Sequence, residues 1–150
     1  MKRNRIILLV VIALVAVTAL AAVIHLNTRV SVPGGVLLVE TADHTEEIVW
    51  DRLELTAVQG TLVNGKGEEH TVDAQGILLR DVLEYTGVSV ETEVTVIAED
   101  EYSASVTAEE IKADNQVYLA TSADGGIQMI VFGDSNSKRN VTGVVRLVVS

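Results

Sequence analysis

Lys138-Arg139 is the one basic doublet beyond Pro33. An arginine fork with a lysine beside it suits a carboxylate or another anion, because the planar guanidinium presents paired N–H donors. The same doublet has a plainer reading as a charged loop before the last strand. Oxygen-rich runs point the other way, toward a hard cation. Glu99-Asp100-Glu101 gathers carboxylates at the end of a predicted strand, Asp124 lies in a glycine-containing turn, and Asp134 and Asn136 have the alternate spacing that opens a calcium loop. Gly133–Ser137 lacks that loop's central glycine and distal glutamate, so a polar turn is its first reading and weak calcium binding its second. Paired carboxylates also serve glycoside hydrolysis, but their separation decides that chemistry and a sequence supplies none.

No catalytic constellation accompanies these groups. His25, His44 and His70 stand apart, none in H-E-x-x-H, and no G-x-S-x-G nucleophile turn occurs. Asn64-Gly65-Lys66-Gly67 lacks the upstream glycine spacing and the Ser/Thr of a phosphate-binding loop. The chain has no cysteine. That excludes thiol nucleophiles, zinc–thiolate and iron–sulfur sites, disulfides and a lipid-modified N-terminal cysteine. Asn140-Val141-Thr142 matches a glycosylation sequon, a pattern that arises often by chance. The expectation is a domain without a catalytic residue.

The elements that position these groups are mostly strands. Val36–Val39 is a short β-type run, and Leu53, Leu55 and Ala57 alternate with Glu54 and Thr56 at the period of a half-buried strand. Gly60–Asp73 reads as a hairpin turning at Asn64-Gly65, a pair that tolerates positive φ. Ile77–Thr86 predicts the main helix, with Leu78, Leu79, Val82, Leu83 and Tyr85 on one side and Arg80, Asp81 and Glu84 on the other. Gly87 is its expected stop. Val94–Ala98 and Tyr102–Val106 are predicted strands. Thr107-Ala108-Glu109-Glu110 fits a capping box opening a short helix that ends near Asp114-Asn115. Val117–Thr121, Ile127–Phe132 and Val141–Val149 close the chain as β-type segments, the first two joined by Ser122–Gly126. The fold class is α+β: a compact, mostly-β mixed sandwich with one main helix.

Residues 1–5 are basic, and Ile6–Ile24 carries no charge. A run of about 20 apolar residues is long enough to cross a bilayer as a helix, and the positive flank stays cytoplasmic. The length favours a retained anchor over a cleaved signal peptide, although Ala19-Leu20-Ala21 offers a small-x-small cleavage site. Residues 25–35, ending in Pro33-Gly34-Gly35, read as a linker, and 36–150 as one extracytoplasmic domain. Lys2, Arg3, Arg5 and Arg29 precede Pro33 while all 21 acidic residues follow it, leaving seven cations against 21 anions, a net −14. Such a domain disfavours nucleic acid, whose affinity rests on cations neutralising phosphates, and disfavours anionic lipid heads.

From the hairpin onward the ordered motifs resemble a known family. G-I-L-L-R-D-V-L-E-Y-T-G-V at Gly76–Val88 resembles the G-x-x-L-x-D-L-L-x-x-A-G-V helix of the sulfite-oxidase-type molybdopterin-binding domain. V-I-A-E-D-E-Y-S-A-S-V-T-A-E-E-I at Val96–Ile111 is similar to its A-x-D-G-Y-S strand and following helix. V-Y-L-A-T-S-A-D-G-G at Val117–Gly126 and K-R-N-V-T-G-V-V-R-L-V-V at Lys138–Val149 resemble its later strands. The departures are specific. No cysteine is present to ligate molybdenum, Glu101 stands in place of the family's glycine, I-Q-M-I-V-F replaces P-L-R-L-V-x-P, and Asn140 occupies a position where tryptophan is common. The resemblance implies the fold and argues against the oxidation chemistry, so no cofactor, molybdopterin included, is expected. Around the cleft that it implies, the candidate ligand-binding residues are Tyr102, Lys138 and Arg139, and Arg80 on the helix is a secondary candidate.

The resulting expectation is a non-catalytic binding or interaction domain for an unknown protein or small molecule. It is carried on a single-pass membrane anchor, or secreted if the N-terminal segment is cleaved. One alternative is a redox accessory protein holding a pterin or metal without a cysteine. Another is a weakly calcium-dependent surface protein using Glu99, Asp100, Glu101, Asp124 and Asp134.

Overall fold

Strict alternation places the two central aliphatics of β1 (Val36–Glu40), Leu37 and Val39, fully inside. Its neighbour β2 (Thr45–Val49) buries only Ile48. β2 was not expected from sequence, because Glu46 and Glu47 break its apolar pattern. They are tolerated because β2 is an edge strand, where charge protects an open hydrogen-bonding row. A 3-10 turn at Trp50–Arg52 follows, burying Trp50, whose Nε1 donates to Thr121 Oγ1 at 3.1 Å.

The computed structural model describes residues 7, 10–18, 35–135 and 137–150. It divides into Met1–Ser31 and Val32–Ser150. In the first unit residues 10–18 are helical (α1), and the Thr18 hydroxyl donates back to Leu14 O and Val15 O. Among the described residues no helix is long and apolar enough to cross a membrane. Most of the 6–24 run, the basic residues before it and the linker up to Gly34 lie outside the described residues, as does Asn136.

The second unit is α+β and mostly β, with a five-stranded sheet ordered β2-β1-β9-β5-β6 and a four-stranded sheet ordered β3-β4-β7-β8. All neighbours are antiparallel except β1 and β9 (Val144–Val149), which run parallel. One apolar cluster joins the sheets, from Leu37, Val94, Val96 and Leu147 on one to Leu119, Met129 and Val131 on the other. Val141 and Thr142 run beside β8 (Ile127–Val131), with Met129 N donating to Val141 O at 2.7 Å. The chain then turns through Gly143 at φ 73° and enters the other sheet as β9. The predicted strand 141–149 is therefore two short segments in different sheets. A bulge where β9 pairs with β5 (Glu93–Ala98) resets the alternation, so that Val144 and Leu147 both face inward.

β3 (Thr56–Val63) and β4 (Glu69–Leu78) form the expected hairpin. The phase of β3 differs from the sequence expectation: Ala57 is exposed and Val58 buried, while Leu53 and Leu55 precede the strand. The turn also works differently. Positive φ falls on Gly67, at 80°, not on Asn64 or Gly65. Asn64 instead folds the loop through its side chain, whose Oδ1 accepts from Lys66 N and Glu68 N at 2.9 and 3.0 Å.

Helix α2 (Leu79–Tyr85) starts two residues later than predicted, because Ile77 and Leu78 extend β4 against Leu119 and Tyr118 of β7 (Val117–Thr121). It buries Leu79, Val82 and Leu83, but Tyr85 is exposed, not on the apolar side. Gly87 at φ 69° ends it as expected; Val88 N reaches Leu83 O and Gly87 N reaches Glu84 O. α3 (Ala108–Lys112) carries the predicted capping box, with Thr107 and Glu110 bonded to each other's backbone N–H. The turn before β6 (Ser103–Thr107) holds Glu101 at φ 69°, a left-handed conformation costing about 1–2 kcal/mol for a residue with a Cβ. Glu101→Gly is expected to stabilise the domain by about 0.5–1 kcal/mol, the strain relief less the added chain entropy, read as a higher urea midpoint.

Candidate binding site

Arg139, the strongest anion-binding candidate from sequence, spends its fork inside the protein. Nε and Nη2 donate to Asp134 at 2.9 and 2.5 Å, and Nη1 and Nη2 donate to Glu110 at 2.9 and 2.8 Å. Nη1 also reaches Ser105 O at 3.5 Å. All five N–H donors of the guanidinium are thereby matched. The carboxylates raise the Arg139 pKa above its ordinary value. The arginine bonds hold the Glu110 carboxyl at about 2, with Thr107 N–H adding to the effect. A depressed carboxylate contributes stability above its unfolded value and loses it as pH falls through the folded one. Unfolding free energy is accordingly expected to drop between pH 4.5 and about 2, and Glu110→Gln is expected to flatten that slope in urea titrations.

Tyr102 is half exposed, and its hydroxyl donates to Lys138 O at 2.6 Å. Tyr102 and Arg139 therefore brace the segment Asp134–Arg139 against β6 and α3. Lys138 is exposed and lines a shallow depression with Asp134, Ser135 and Arg139.

The proposed cation ligands do not converge. Asp134 is bound to Arg139. Asp100 Oδ1 accepts from Tyr102 N at 3.1 Å, closing the turn that also contains Glu101. Ser122 Oγ and Gly126 N donate to Asp124, and the serine bond, then the glycine, lowers its pKa. Glu99 and Asp124 do line one cleft, beside Gly125, Gly126 and Gly143. Among the described residues no three His, Asp or Glu side chains are grouped as a metal site.

Arg80 lies elsewhere, on α2. Nη1 donates to Lys112 O and Asp114 Oδ1, both at 3.3 Å, and Nε stands 3.5 Å from Asp81. The Asp114 bond is the main influence raising its pKa. Arg80 edges a groove of about 290 Å³ between α2 and α3, with Leu83, Val88 and Ile111 as apolar lining and Glu84 and Lys112 as charged lining. Beyond Asp81 lies a larger cavity of about 440 Å³, lined by Glu54, Thr56, Ile77, Leu78, Asp81, Asn115 and Tyr118. α2 thus contributes to two concavities of different chemistry.

Sequence reasoning missed Glu54, Asp81 and Tyr118 as site residues. The only local signal was Tyr118 alternating out of phase with the buried Val117 and Leu119. Nothing local shows that the segment before β3 meets the α3–β7 loop. No protein-family model matches the chain, and no curated protein matches it, so functional assignment rests on these residues.

Proposed function

We propose that the chain is a non-catalytic binding module working outside the cytoplasm, with its ligand received beside α2. The fold is proposed to be that of the sulfite-oxidase-type molybdopterin-binding domain, in a form without the cofactor. The observation that carries the binding reading is the pairing of chemistry-bearing side chains. Arg139, Asp134, Glu110, Tyr102 and Asp124 are bonded to one another or to backbone, whereas α2 borders two open concavities. Ligand pockets of small molecules start near 300 Å³, so both have a usable size. The charge-free N-terminal run after a basic start supports a membrane tether, and the net −14 supports a solvated outer domain.

The test uses the full chain purified in nonionic detergent. Metal content, pterin fluorescence and visible absorption are expected to show no stoichiometric cofactor. A stoichiometric molybdenum or pterin signal overturns the reading in favour of a redox accessory protein. A thermal shift with millimolar calcium, absent with magnesium, replaces it with the calcium-dependent one.

A further inference from the structure

We infer that the cavity beside α2 is a site for a small organic ammonium, a ligand class that rests on the binding-module reading. The cavity brings together two carboxylates from separate elements, Glu54 before β3 and Asp81 on α2, and one aromatic ring, Tyr118 of β7. Ile77 and Leu78 supply apolar lining between them. Among the described residues Glu54 makes no ion pair, and Asp81 has only the 3.5 Å approach of Arg80 Nε. A cavity with one unpaired carboxylate, a second held only at 3.5 Å by an arginine, an apolar wall and a tyrosine in its lining matches a cation that carries carbon. A cation over an aromatic ring gains electrostatically from the ring quadrupole, and the alkyl groups gain from leaving water. Inorganic cations are poorly matched, since no third carboxylate is grouped there and hard ions need six or more oxygens.

Tyr118 is also held in place before any ligand arrives. Its hydroxyl donates to Asn115 Oδ1 at 2.9 Å. Its ring meets Phe132 edge-to-face at 5.8 Å and 77°. Phe132 in turn packs over Gly60, where an added Cβ would come within 2.4 Å of the ring. Pre-organisation of this kind lowers the ordering cost of binding. The net −14 of the domain adds a long-range attraction for cations that weakens with salt.

The experiment titrates the full chain in nonionic detergent with tetramethylammonium, using tert-butanol as the neutral counterpart, and follows the tyrosine ring resonances by NMR. The chain has three tyrosines, so Tyr118 is assignable by difference against the other two. Saturable shifts of the Tyr118 ring are expected with the cation and not with the alcohol, weakening as salt is raised. Glu54→Gln is expected to weaken binding about threefold or more and to make it less salt-sensitive. Glu54 is exposed and unpaired, so this variant leaves the fold intact. Tyr118→Leu keeps apolar volume and is expected to weaken binding about fivefold, within the span of one cation–π contact. Non-saturating shifts, equal shifts with tert-butanol, or unchanged affinity in Glu54→Gln overturn the inference. The cofactor assays above are independent of this titration, so a failed titration removes the ammonium assignment and leaves the binding-module reading standing.

Discussion

Arg139→Met is expected to cost about 2–4 kcal/mol of unfolding free energy, measured in urea at pH 7. Breaking a buried ion pair by removing one partner costs about 3–5 kcal/mol, because the remaining charge keeps its burial without its compensation. Here two charges are stranded at once, since Glu110 and Asp134 both lose their shared cation. Their side chains are 24% and 18% exposed, and water reaching them moderates the loss. Methionine retains the aliphatic bulk, so the effect reports the guanidinium more than a cavity. Arg139→Lys is expected to recover less than half, because one ammonium cannot serve two carboxylates with paired, planar donors. Acid supplies the diagnostic. The native chain loses stability toward pH 2 as Glu110 protonates. Without Arg139 the stranded carboxylates repel, and protonation relieves them, so the acid slope is expected to shrink or reverse. A loss below about 0.5 kcal/mol at pH 7, the size of a surface pair, would show that the network is screened and structurally idle.

The residues that made Arg139 visible in the sequence also hid its role. A basic doublet in a domain of net −14 suggests an anion pocket, and only the meeting of α3 with the Asp134–Arg139 segment reveals that the anions are internal. Glu110 was legible as half of a capping box, and that reading holds, but its second task of binding Arg139 depends on contact across 29 residues. Local signals fared well: Thr107 and Glu110, Gly87 at the end of α2, the hairpin around Asn64, and the β-type run Val36–Val39 all follow from neighbours within a few residues. Signals that needed a partner strand fared worse. The acidic β2 is a strand only because β1 pairs with it. Leu53, Leu55 and Ala57 alternate, but the phase of β3 is set by its register against β4, which places Val58 inside. Val141–Val149 is continuous in sequence and changes sheets at Gly143. The cavity of Glu54, Asp81 and Tyr118 was illegible for the same reason, since its walls come from elements more than 20 residues apart.

Gly76→Ala is the substitution for which the structure leaves least room, and it is expected to cost about 3 kcal/mol or prevent folding. Gly76 pairs with Thr56 on one side and Ala120 on the other, so it sits between strands in the four-stranded sheet. Its need for glycine is not conformational, because its φ is not positive. The need is space: an added Cβ would lie 2.5 Å from Leu119 O, 2.9 Å from Ala120 Cβ and 3.0 Å from Ala120 Cα. Two of these are backbone atoms, which cannot rotate away as a side chain does. β4 meets β7 only through Gly76, Ile77 and Leu78, so backing away from the clash loosens the one ladder that ties the hairpin to the sheet. Overpacking typically costs 1–3 kcal/mol, and the rigid obstacle places this site at or above the top of that range. Gly60→Ala is the control, because it adds the same methyl at another close approach, on a half-buried glycine. Its Cβ would meet Phe132 Cε1 at 2.4 Å and Cζ at 2.8 Å, the far end of a ring that can turn aside. The expected cost there is about 1 kcal/mol, mostly the loss of the edge-to-face contact with Tyr118. Urea denaturation of both variants separates the two causes. If Gly60→Ala proves as costly as Gly76→Ala, backbone rigidity at the β4–β7 junction is not what governs tolerance, and the ring stack on Gly60 is holding the hairpin instead.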